Sequence, residues 1–549
     1  MEAQPAENSR AQRLLRDAQA RWHIREGDYD PIWDGLNAVI MPRKAEILAP
    51  DHTPDLDKER ALYDGTIARA NQVAAAGQMS WMSPVDSPWF SVDPARNQRH
   101  SDPVKRWLAE CTDIYREHLA ASGTAYHSFH ESYLNAGCTG TYALTTESDG
   151  LGSLLFRGHD TGTYSIAENH RLEVDVVDHR YVYTPHQILS RYNLPTDNIP
   201  ESIRAKIAVG GDAATQKLKV WHLVFPRPDA PQVPGAMSAE LPVASVHILE
   251  DGHHILRESG YQEMPTAVGQ WLRWGDSPYG WSPGWLCYPE ARQLNTLQKY
   301  ADILAETAAY PRILAPSDMS PGDFDFRAYG ISYFDASKPT DAQPRPWLTE
   351  GRNGELRQRI EDKREEIKNG YMTDMFQLFT GIDKQITAYE AAQLQAERLV
   401  QFSPTFALRT TQLFRPVLKR GFWLLYRQGA FPQPPDEAYV DIGDGTALLP
   451  DPHIEFSSRM TMAMKSLKNL SLQRVLQTLQ PLADANPAVL DNFDFDRIAR
   501  DSSLNDGLPA PWIRDEAQRE QMRQERAQLL ASQTAPAPGA QADTAPLPA

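Results

Sequence analysis

Two helix-forming segments separated by a long insert constrain the fold of this chain more than any other feature. The first, Pro289–Tyr310, begins with a proline suited to a first helical turn and stops before Pro311. The second, Glu355–Leu378, carries apolar residues at the same helical spacing. At the rise of an α-helix the two would span about 33 Å and about 36 Å. The sequence therefore predicts two helices of matched length.

The insert between them, Pro311–Leu348, is rich in proline, glycine, aspartate and aromatic residues. A connection of this length inside a compact domain is usually functional. A helical hairpin with a decorated loop is the commoner structure, however, and geometry alone favours that simpler interpretation.

The segments before the hairpin change from helical to strand-like periodicity. Helices are predicted over Ser9–Arg25, Leu56–Gly77, Pro103–Ser122 and Ala125–Ala136. Strands are predicted over Thr141–Thr146, Ser153–Gly158, Thr163–Ala167, Glu173–Thr184, Leu218–Phe225 and Val243–Leu249. Helices followed by a run of strands indicate an α+β fold, mainly α, rather than a wound parallel sheet.

Helical patterns return after a break at Phe379–Gln385. Ile386–Arg427 predicts one long helix that is kinked or split at Pro404 and Pro416. Ile513–Leu530 predicts a highly charged helix, and the low-complexity segment Thr534–Ala549 predicts disorder.

Motifs that would support catalysis or a cofactor are absent from the sequence. There is no phosphate-binding glycine loop, no serine nucleophile elbow and no zinc-protease motif. Asp491, Asp494 and Asp496 offer oxygens for a cation, but they lack the EF-hand spacing, and Asp491 suits a helix N-cap better. The sequence therefore predicts no enzyme, no cofactor and no metal.

Charge, cysteine content and hydropathy narrow the class of protein further. A net charge of −17 argues against a sequence-reading DNA binder, which normally shows a basic face. Three widely spaced cysteines without a CxxC motif predict reduced thiols in a cytosolic chain. The amino terminus lacks the apolar run of a signal peptide, and no apolar stretch approaches the roughly 20 residues that span a bilayer.

Five stretches, taken in order, resemble the portal (head-to-tail connector) proteins of short-tailed, podovirus-type phages. They are Ala68–Val92, Ser132–Leu144, Gly275–Lys299, Ile386–Leu425 and Asn486–Gln528. The fourth is the most specific, although Tyr389 follows Ala388 where the family often has threonine. Phe402-Ser403-Pro404 likewise stands where the family often has Leu-Gly-Pro. The resemblance covers nearly the whole chain.

The resemblance implies a portal fold with wing, stem, clip and crown that assembles as a ring. The implied parts are an α+β wing at 1–287, stem helices at 288–310 and 349–378, and a clip at 311–348 between them. These parts are followed by a tunnel loop at 379–385, a long wing helix with its return at 386–455, a helical crown at 456–530 and a disordered tail at 531–549.

The same resemblance implies where the functional residues lie. The tunnel loop residues Gly381, Ile382, Asp383, Lys384 and Gln385 would line the narrowest part of a DNA channel. Lys384 would lie nearest the phosphates, or would be solvated or bridge two subunits. The aromatic residues that would form the contact surface of the clip, or pack between clips of neighbouring subunits, are Phe324, Phe326, Tyr329, Tyr333 and Phe334.

As a portal, the chain would form a ring of twelve copies at one capsid vertex and have no membrane partner. A ring of chains each with net charge −17 carries a formal charge of about −200, which repels phosphate and lets DNA slide. Its partners would be double-stranded DNA, the terminase large subunit, the major capsid and scaffolding proteins, and tail adaptors. It would reside in the virion, and in the host cytoplasm during assembly. Another non-enzymatic virion assembly protein, and a cytosolic enzyme with an unrecognised site, are the alternatives.

Overall fold

The computed structural model describes most of the chain, which divides after Phe456 into two units. The described residues are 3–42, 62–95, 101–150, 152–194, 199–228, 240–309, 313–314, 345–346, 353–376, 402–441, 447–457, 475, 493–505 and 516–534. Each unit is described by itself.

The main unit begins with helices. They are α1 (Ala3–Asp28), α2 (Asp30–Ile40), α3 (Thr66–Met82), α4 (Asp102–Ala121) and α5 (Ala125–Thr139), with the short strand β1 (Phe90–Asp93) before α4. The predicted helices over Ser9–Arg25, Pro103–Ser122 and Ala125–Ala136 are confirmed. The predicted Leu56–Gly77 helix begins only at Thr66 in the described residues, and α2 was not predicted.

Two antiparallel sheets follow the helices. The larger has the strand order β4-β5-β6-β7-β8, a meander in which chain neighbours pair, and the smaller has the order β3-β2-β9. Their strands are β2 (Thr141–Ser148), β3 (Leu154–His159), β4 (Tyr164–Glu168), β5 (Val174–Tyr183), β6 (Leu218–Pro226), β7 (Val243–Leu249), β8 (His254–Tyr261) and β9 (Thr266–Gln270). The six predicted strands are confirmed to within two residues, and β8 and β9 were missed.

The connection between β5 and β6 is helical. It contains α6 (Pro185–Tyr192), α7 (Glu201–Val209) and the short α8 (Asp212–Thr215). Thr184 begins α6 with a capping box, because its side chain accepts a hydrogen bond from the Gln187 backbone while the Gln187 side chain accepts one from the Thr184 backbone.

The second half of the main unit is again helical. It contains α9 (Pro283–Ala309), α10 (Asn353–Gly370), α11 (Thr373–Phe376) and α12 (Arg415–Arg427). Short strand pairs accompany these helices: β10 (Ile313–Leu314) with β11 (Arg345–Pro346), β12 (Val440–Asp441) with β13 (Ala447–Leu448), and β14 (His453–Phe456) with β1. The predicted α+β class, mainly α, is confirmed.

Helix α1 covers one face of the larger sheet. Its residues Ala11, Leu15, Ala18 and Trp22 are buried against alternate side chains of β6 and β7. The Trp22 ring meets that of Trp221 edge-on at 5.2 Å. Because successive side chains of a strand point to opposite faces, the intervening residues of β5, β6 and β7 face away from α1.

A buried ion pair fixes the turn from α1 into α2. The Arg25 guanidinium donates to both carboxylate oxygens of Asp30 at 2.9 Å and to the Tyr164 carbonyl at 2.6 Å. Neither side chain is more than 2% exposed. Burial raises the pKa of Asp30 even though Arg25 opposes that shift. The buried Asp30 carboxylate therefore depends on Arg25 for its counter-charge.

We expect Arg25→Met to lower the free energy of unfolding by about 3–5 kcal/mol, because it leaves the Asp30 carboxylate buried without a counter-charge. Urea unfolding followed by tryptophan fluorescence would measure the loss. The double variant Arg25→Met/Asp30→Leu should recover most of it, since two apolar side chains then replace the pair. Equal instability of the single and double variants would contradict this account.

Close backbone contact joins α5 to the start of α9. Gly140 ends α5 with φ +90°, in the left-handed region. A Cβ added there would lie 2.4 Å from the Gly280 carbonyl oxygen, and one added at Gly280 would lie 2.3 Å from the Gly140 carbonyl oxygen. Only glycine fits both positions, which explains the glycines at 140 and 280.

The second unit, described in part, contains α13 (Phe495–Asn505) and α14 (Glu516–Thr534). Asp494 caps α13, because its Oδ1 accepts a hydrogen bond from the Arg497 backbone at 3.0 Å. Asp491, which the sequence favours as a helix N-cap, lies outside the described residues. Asp496 pairs with Arg519 and Arg523 and is accounted for by these contacts. The charged helix predicted at Ile513–Leu530 is confirmed from Glu516, and its last turn enters the predicted tail.

Two absences concern the described residues alone. No helix in the described ranges combines the length and apolarity needed to cross a bilayer. No group of three or more histidine, cysteine, aspartate or glutamate residues in the same ranges is arranged to hold a metal ion. Cys111, Cys138 and Cys287 are buried free thiols, as the sequence predicts.

Candidate functional site: a hairpin and an excursion with closed bases

Helices α9 and α10 form an antiparallel hairpin on the core of the main unit. Cys287 of α9 lies beside the carboxyl-terminal part of α10, with its Sγ 3.9 Å from the Ile367 carbonyl oxygen. Farther along α9, Gln298 accepts a hydrogen bond from Arg364 at 3.5 Å. The apolar line shared by the two helices is part of one buried cluster that includes Ala291, Leu294, Ile360, Ile367 and Tyr371.

The predicted boundaries of this hairpin were wrong at two ends. Helix α9 begins at Pro283 because the Ser282 hydroxyl accepts a hydrogen bond from the Trp285 backbone at 3.2 Å, which leaves Pro289 inside the helix. Helix α10 ends at Gly370 because Met372 adopts a left-handed backbone with φ +52°. The helices have 27 and 18 residues, so they are not matched in length.

A polar contact fixes the hairpin to the start of α3. Arg364 donates two hydrogen bonds to Oδ2 of Asp64, at 3.1 and 2.8 Å, and the Asp64 side chain is 4% exposed. Burial opposes ionisation of Asp64, but hydrogen bonds from Thr66 and Arg364 outweigh it and lower its pKa. The carboxylate therefore stays charged and orients α10.

One side of α9 carries an exposed stripe without charged residues. Its members recur at intervals of three and four residues, so they lie on one helix face. They are Leu286, Pro289, Gln293, Thr296, Tyr300 and Ile303. Leu286, Tyr300 and Ile303 are 53%, 54% and 45% exposed. Helix α10, in contrast, exposes mainly charged side chains, so the two helices of the hairpin present different surfaces.

A two-residue ladder closes the base of the insert between the two helices. Ile313 pairs with Pro346 and Leu314 with Arg345 in antiparallel register. The residues that flank 315–344 are therefore paired with each other, so the two ends of the insert lie side by side. The predicted contact residues Phe324, Phe326, Tyr329, Tyr333 and Phe334 lie in that range, outside the described residues.

A second excursion, residues 377–401, also begins and ends at one place. The Phe376 ring lies 6.0 Å from the Phe402 ring, and Phe402 packs at 6.1 Å against Trp271. Gly77 makes room for Phe376, since a Cβ there would lie 2.1 Å from the ring. The predicted tunnel loop residues Gly381, Ile382, Asp383, Lys384 and Gln385 fall within 377–401 and lie outside the described residues.

The helix after the second excursion returns the chain to the core. Residues 402–409 are α-helical, Thr410–Phe414 form a π-helical segment, and α12 follows. The proline ring of Pro416 would clash with the carbonyl four residues earlier in a regular helix, and the wider π turn accommodates it. The predicted interruption at Pro416 therefore takes this form.

Buried arginines anchor this helix to the sheets. Arg409 is fully buried, with its guanidinium carbon 4.3 Å from the centre of the Tyr142 ring. Arg420 donates to the carbonyl oxygens of Thr146 and Glu263 at 2.6 and 2.9 Å. The helix that follows residues 377–401 is thus attached to the sheets by buried side chains.

The chain matches the family model described as bacteriophage head to tail connecting protein over residues 11–513. It is 26% identical over 534 residues to the portal protein of Salmonella phage epsilon15, covering 96% of this chain and 93% of that protein. It is also 26% identical over 471 residues to the probable portal protein of Bordetella phage BPP-1, covering 85% of this chain and 82% of that one.

The solved structures that the chain resembles include the virion of a native gene transfer agent particle. A chain of it aligns with 82% of this chain and 89% of its own length, at 9% identity. The TM-score is 0.35, which is too low to support an argument. The sequence matches carry the assignment, because they extend over most of the chain. The chain belongs to the bacteriophage head-to-tail connecting, or portal, protein family.

Proposed function

We propose that this chain is the structural, non-enzymatic subunit of a twelve-membered ring at one capsid vertex, through which double-stranded DNA enters and leaves. The observation that supports it best is the succession of a helical hairpin with a closed insert and a second closed excursion. In that arrangement α9 and α10 are the stem, residues 311–348 the clip and 379–385 the tunnel loop.

A ring of subunits can form when the contact between neighbours joins two different surface patches. When one patch of a subunit meets a different patch of the next, the contacts close into a ring if the rotation is suitable. The uncharged stripe on α9 supports such a contact, because apolar side chains that are half exposed in one chain become buried against a neighbour. The charged surface of α10 then faces away from this subunit contact.

Partners divide between the two excursions in this proposal. The clip, with Phe324, Phe326, Tyr329, Tyr333 and Phe334, docks the terminase large subunit during packaging and the tail adaptors afterwards. The tunnel loop contacts the DNA without reading its sequence. The subunit also meets the major capsid and scaffolding proteins, first in the host cytoplasm and then in the virion, and its net charge of −17 keeps DNA from adhering.

Charge reversal in the tunnel loop tests the channel assignment. With Lys384→Glu, we expect about a tenfold drop in packaged genomes per particle, equivalent to 1.4 kcal/mol, because a ring of carboxylates repels the phosphates. The measurement is protected DNA in particles assembled from the variant, with ring formation checked by electron microscopy.

The matched control is Lys219→Glu, which makes the same charge change at an exposed position of β6. It should leave packaging unchanged. Normal packaging by intact Lys384→Glu rings would remove Lys384 from the channel. A wild-type chain that forms no ring with a central hole would contradict the proposed function itself.

A further inference from the structure

A cavity of about 490 Å³ lies between the two sheets of the main unit. Its floor is the face of the larger sheet that α1 does not cover, and its other walls come from β2, β3 and β9, the end of α6, and α12. We call it the sheet cavity. Nothing in the proposed channel role uses it.

The floor of the sheet cavity carries three histidines in one cross-strand row. The register aligns Tyr164, His179, His222, His247 and Arg257 across all five strands. Directly opposed residues project from the same face of a sheet. The rings of His222 and His247 stack at 4.0 Å, and the ring of His159 of β3 packs against that of His179 from the opposite wall at 4.3 Å, tilted by 39°.

Most of these imidazoles are hydrogen-bonded, but one is not. His222 Nε2 lies 2.9 Å from the Ser245 hydroxyl, His247 Nδ1 lies 3.0 Å from the Tyr192 hydroxyl, and His159 Nε2 lies 2.7 Å from that of Thr145. His179 is 2% exposed, and its Nδ1 has no hydrogen-bond partner among the described residues. A buried polar atom without a partner costs about 1–3 kcal/mol. Position 179 therefore leaves a hydrogen bond for a ligand to complete.

The mouth of the sheet cavity is cationic. Arg157, Arg191 and Arg257 line it, and within the described part of the chain none of the three pairs with a carboxylate. The fourth lining arginine, Arg420, is satisfied by backbone carbonyls and Glu263. The lining includes one carboxylate, Glu147. Three arginines around a concave site in a chain of net charge −17 concentrate positive potential where an anion would enter.

We propose that the sheet cavity binds a small, multiply charged anion that carries phosphate, with Arg157, Arg191 and Arg257 holding its charge and His179 Nδ1 donating a hydrogen bond from the floor. Arginine suits phosphate because its planar fork gives paired, charge-assisted hydrogen bonds. The volume lies in the range of about 300–1,000 Å³ that is typical of small-molecule sites, so a phosphate ester fits as well as a bare phosphate.

Isothermal titration calorimetry of the full chain, at constant ionic strength, tests the proposal. The probes are inorganic phosphate, pyrophosphate and a nucleoside triphosphate, with chloride as the background anion. We expect saturable binding of at least one phosphate compound. Tighter binding of the triphosphate would identify an organic phosphate as the source, and binding of inorganic phosphate or pyrophosphate alone would identify a free one.

Variants distinguish anion binding in the sheet cavity from general attraction of anions to a basic surface. The double variant Arg191→Gln/Arg257→Gln should weaken binding at least about tenfold, and His179→Leu should weaken it with the arginines intact. The matched control Arg106→Gln removes an exposed arginine of α4 and should bind as the wild type does. Circular dichroism reports whether each variant folds.

Three results would overturn the proposal. They are the absence of saturable binding by all the phosphate probes, equal affinity of folded Arg191→Gln/Arg257→Gln and wild-type chains, and binding of Zn²⁺ but of no phosphate compound. Each can be observed whether or not the chain forms a channel, so failure here is distinguishable from failure of the portal role.

Discussion

The double variant Tyr300→Glu/Ile303→Glu should convert rings into monomers. Both side chains lie on the exposed, uncharged stripe of α9, and in the proposed ring that stripe is buried against the next subunit. Burying an unpaired carboxylate costs several kcal/mol, and each 1.4 kcal/mol weakens an association tenfold. Because every contact in the ring carries both changes, we expect the subunit dissociation constant to rise at least about a hundredfold.

Size-exclusion chromatography and mass photometry measure this loss directly. The control is Asp302→Lys, which alters charge on the same helix at an exposed position that lies away from the stripe. That variant should still form rings. The double variant should keep the circular dichroism spectrum of the wild type, since neither residue belongs to the core. Intact rings from the double variant would show that the stripe is not a subunit contact.

Acid should unfold the main unit through the buried histidines that line the sheet cavity. Burial lowers the pKa of His159 to about 4 and that of His247 to about 3, and it lowers those of His179 and His222 well below 6.5. Below pH 6.5 the unfolded chain therefore binds protons that the folded chain does not. Stability is full above about pH 6.5 and falls as the pH drops toward 4, by about 1.4 kcal/mol per pH unit for each such histidine.

The variant His222→Gln isolates this effect, because glutamine can still bond Ser245 but takes up no proton. Its free energy of unfolding should fall less steeply between pH 6.5 and 4 than that of the wild type, by about 1.4 kcal/mol per unit. Urea unfolding at a series of pH values gives both slopes. The exposed His186→Gln is the control and should keep the wild-type slope. Identical slopes for all three chains would exclude the row as the cause.

Strong periodicity made much of this fold predictable. The strands of the larger sheet that are rich in β-branched and other apolar residues, such as β6 and β7, were predicted to within one residue. The strand β8 was missed because His254–Tyr261 carries charged residues at its partly exposed edge. Helix α2 was missed because buried Asp30 and Asn37 interrupt its apolar pattern. In both cases tertiary partners, which the local sequence does not contain, decide the structure.

The candidate functional residues were harder to predict from the sequence than the fold was. The histidine row could not be found in the sequence, because His179, His222 and His247 come from three strands and meet only through their register. The unequal lengths of α9 and α10 depend on the Ser282 cap and on the left-handed Met372, two local details that periodicity does not report. The tunnel and clip positions rest on the order of segments and remain predictions.

The ladder of Ile313–Leu314 with Arg345–Pro346 has an evolutionary consequence. An insert whose two ends are already joined can be lengthened or exchanged with little effect on the rest of the molecule, since doubling a loop costs only about 0.6 kcal/mol in closure entropy. Changes of length or sequence within residues 315–344 should therefore be tolerated more easily than changes in the helices that flank them. We therefore expect related chains to differ in length and sequence more within residues 315–344 than in α9 and α10, which pack on the core.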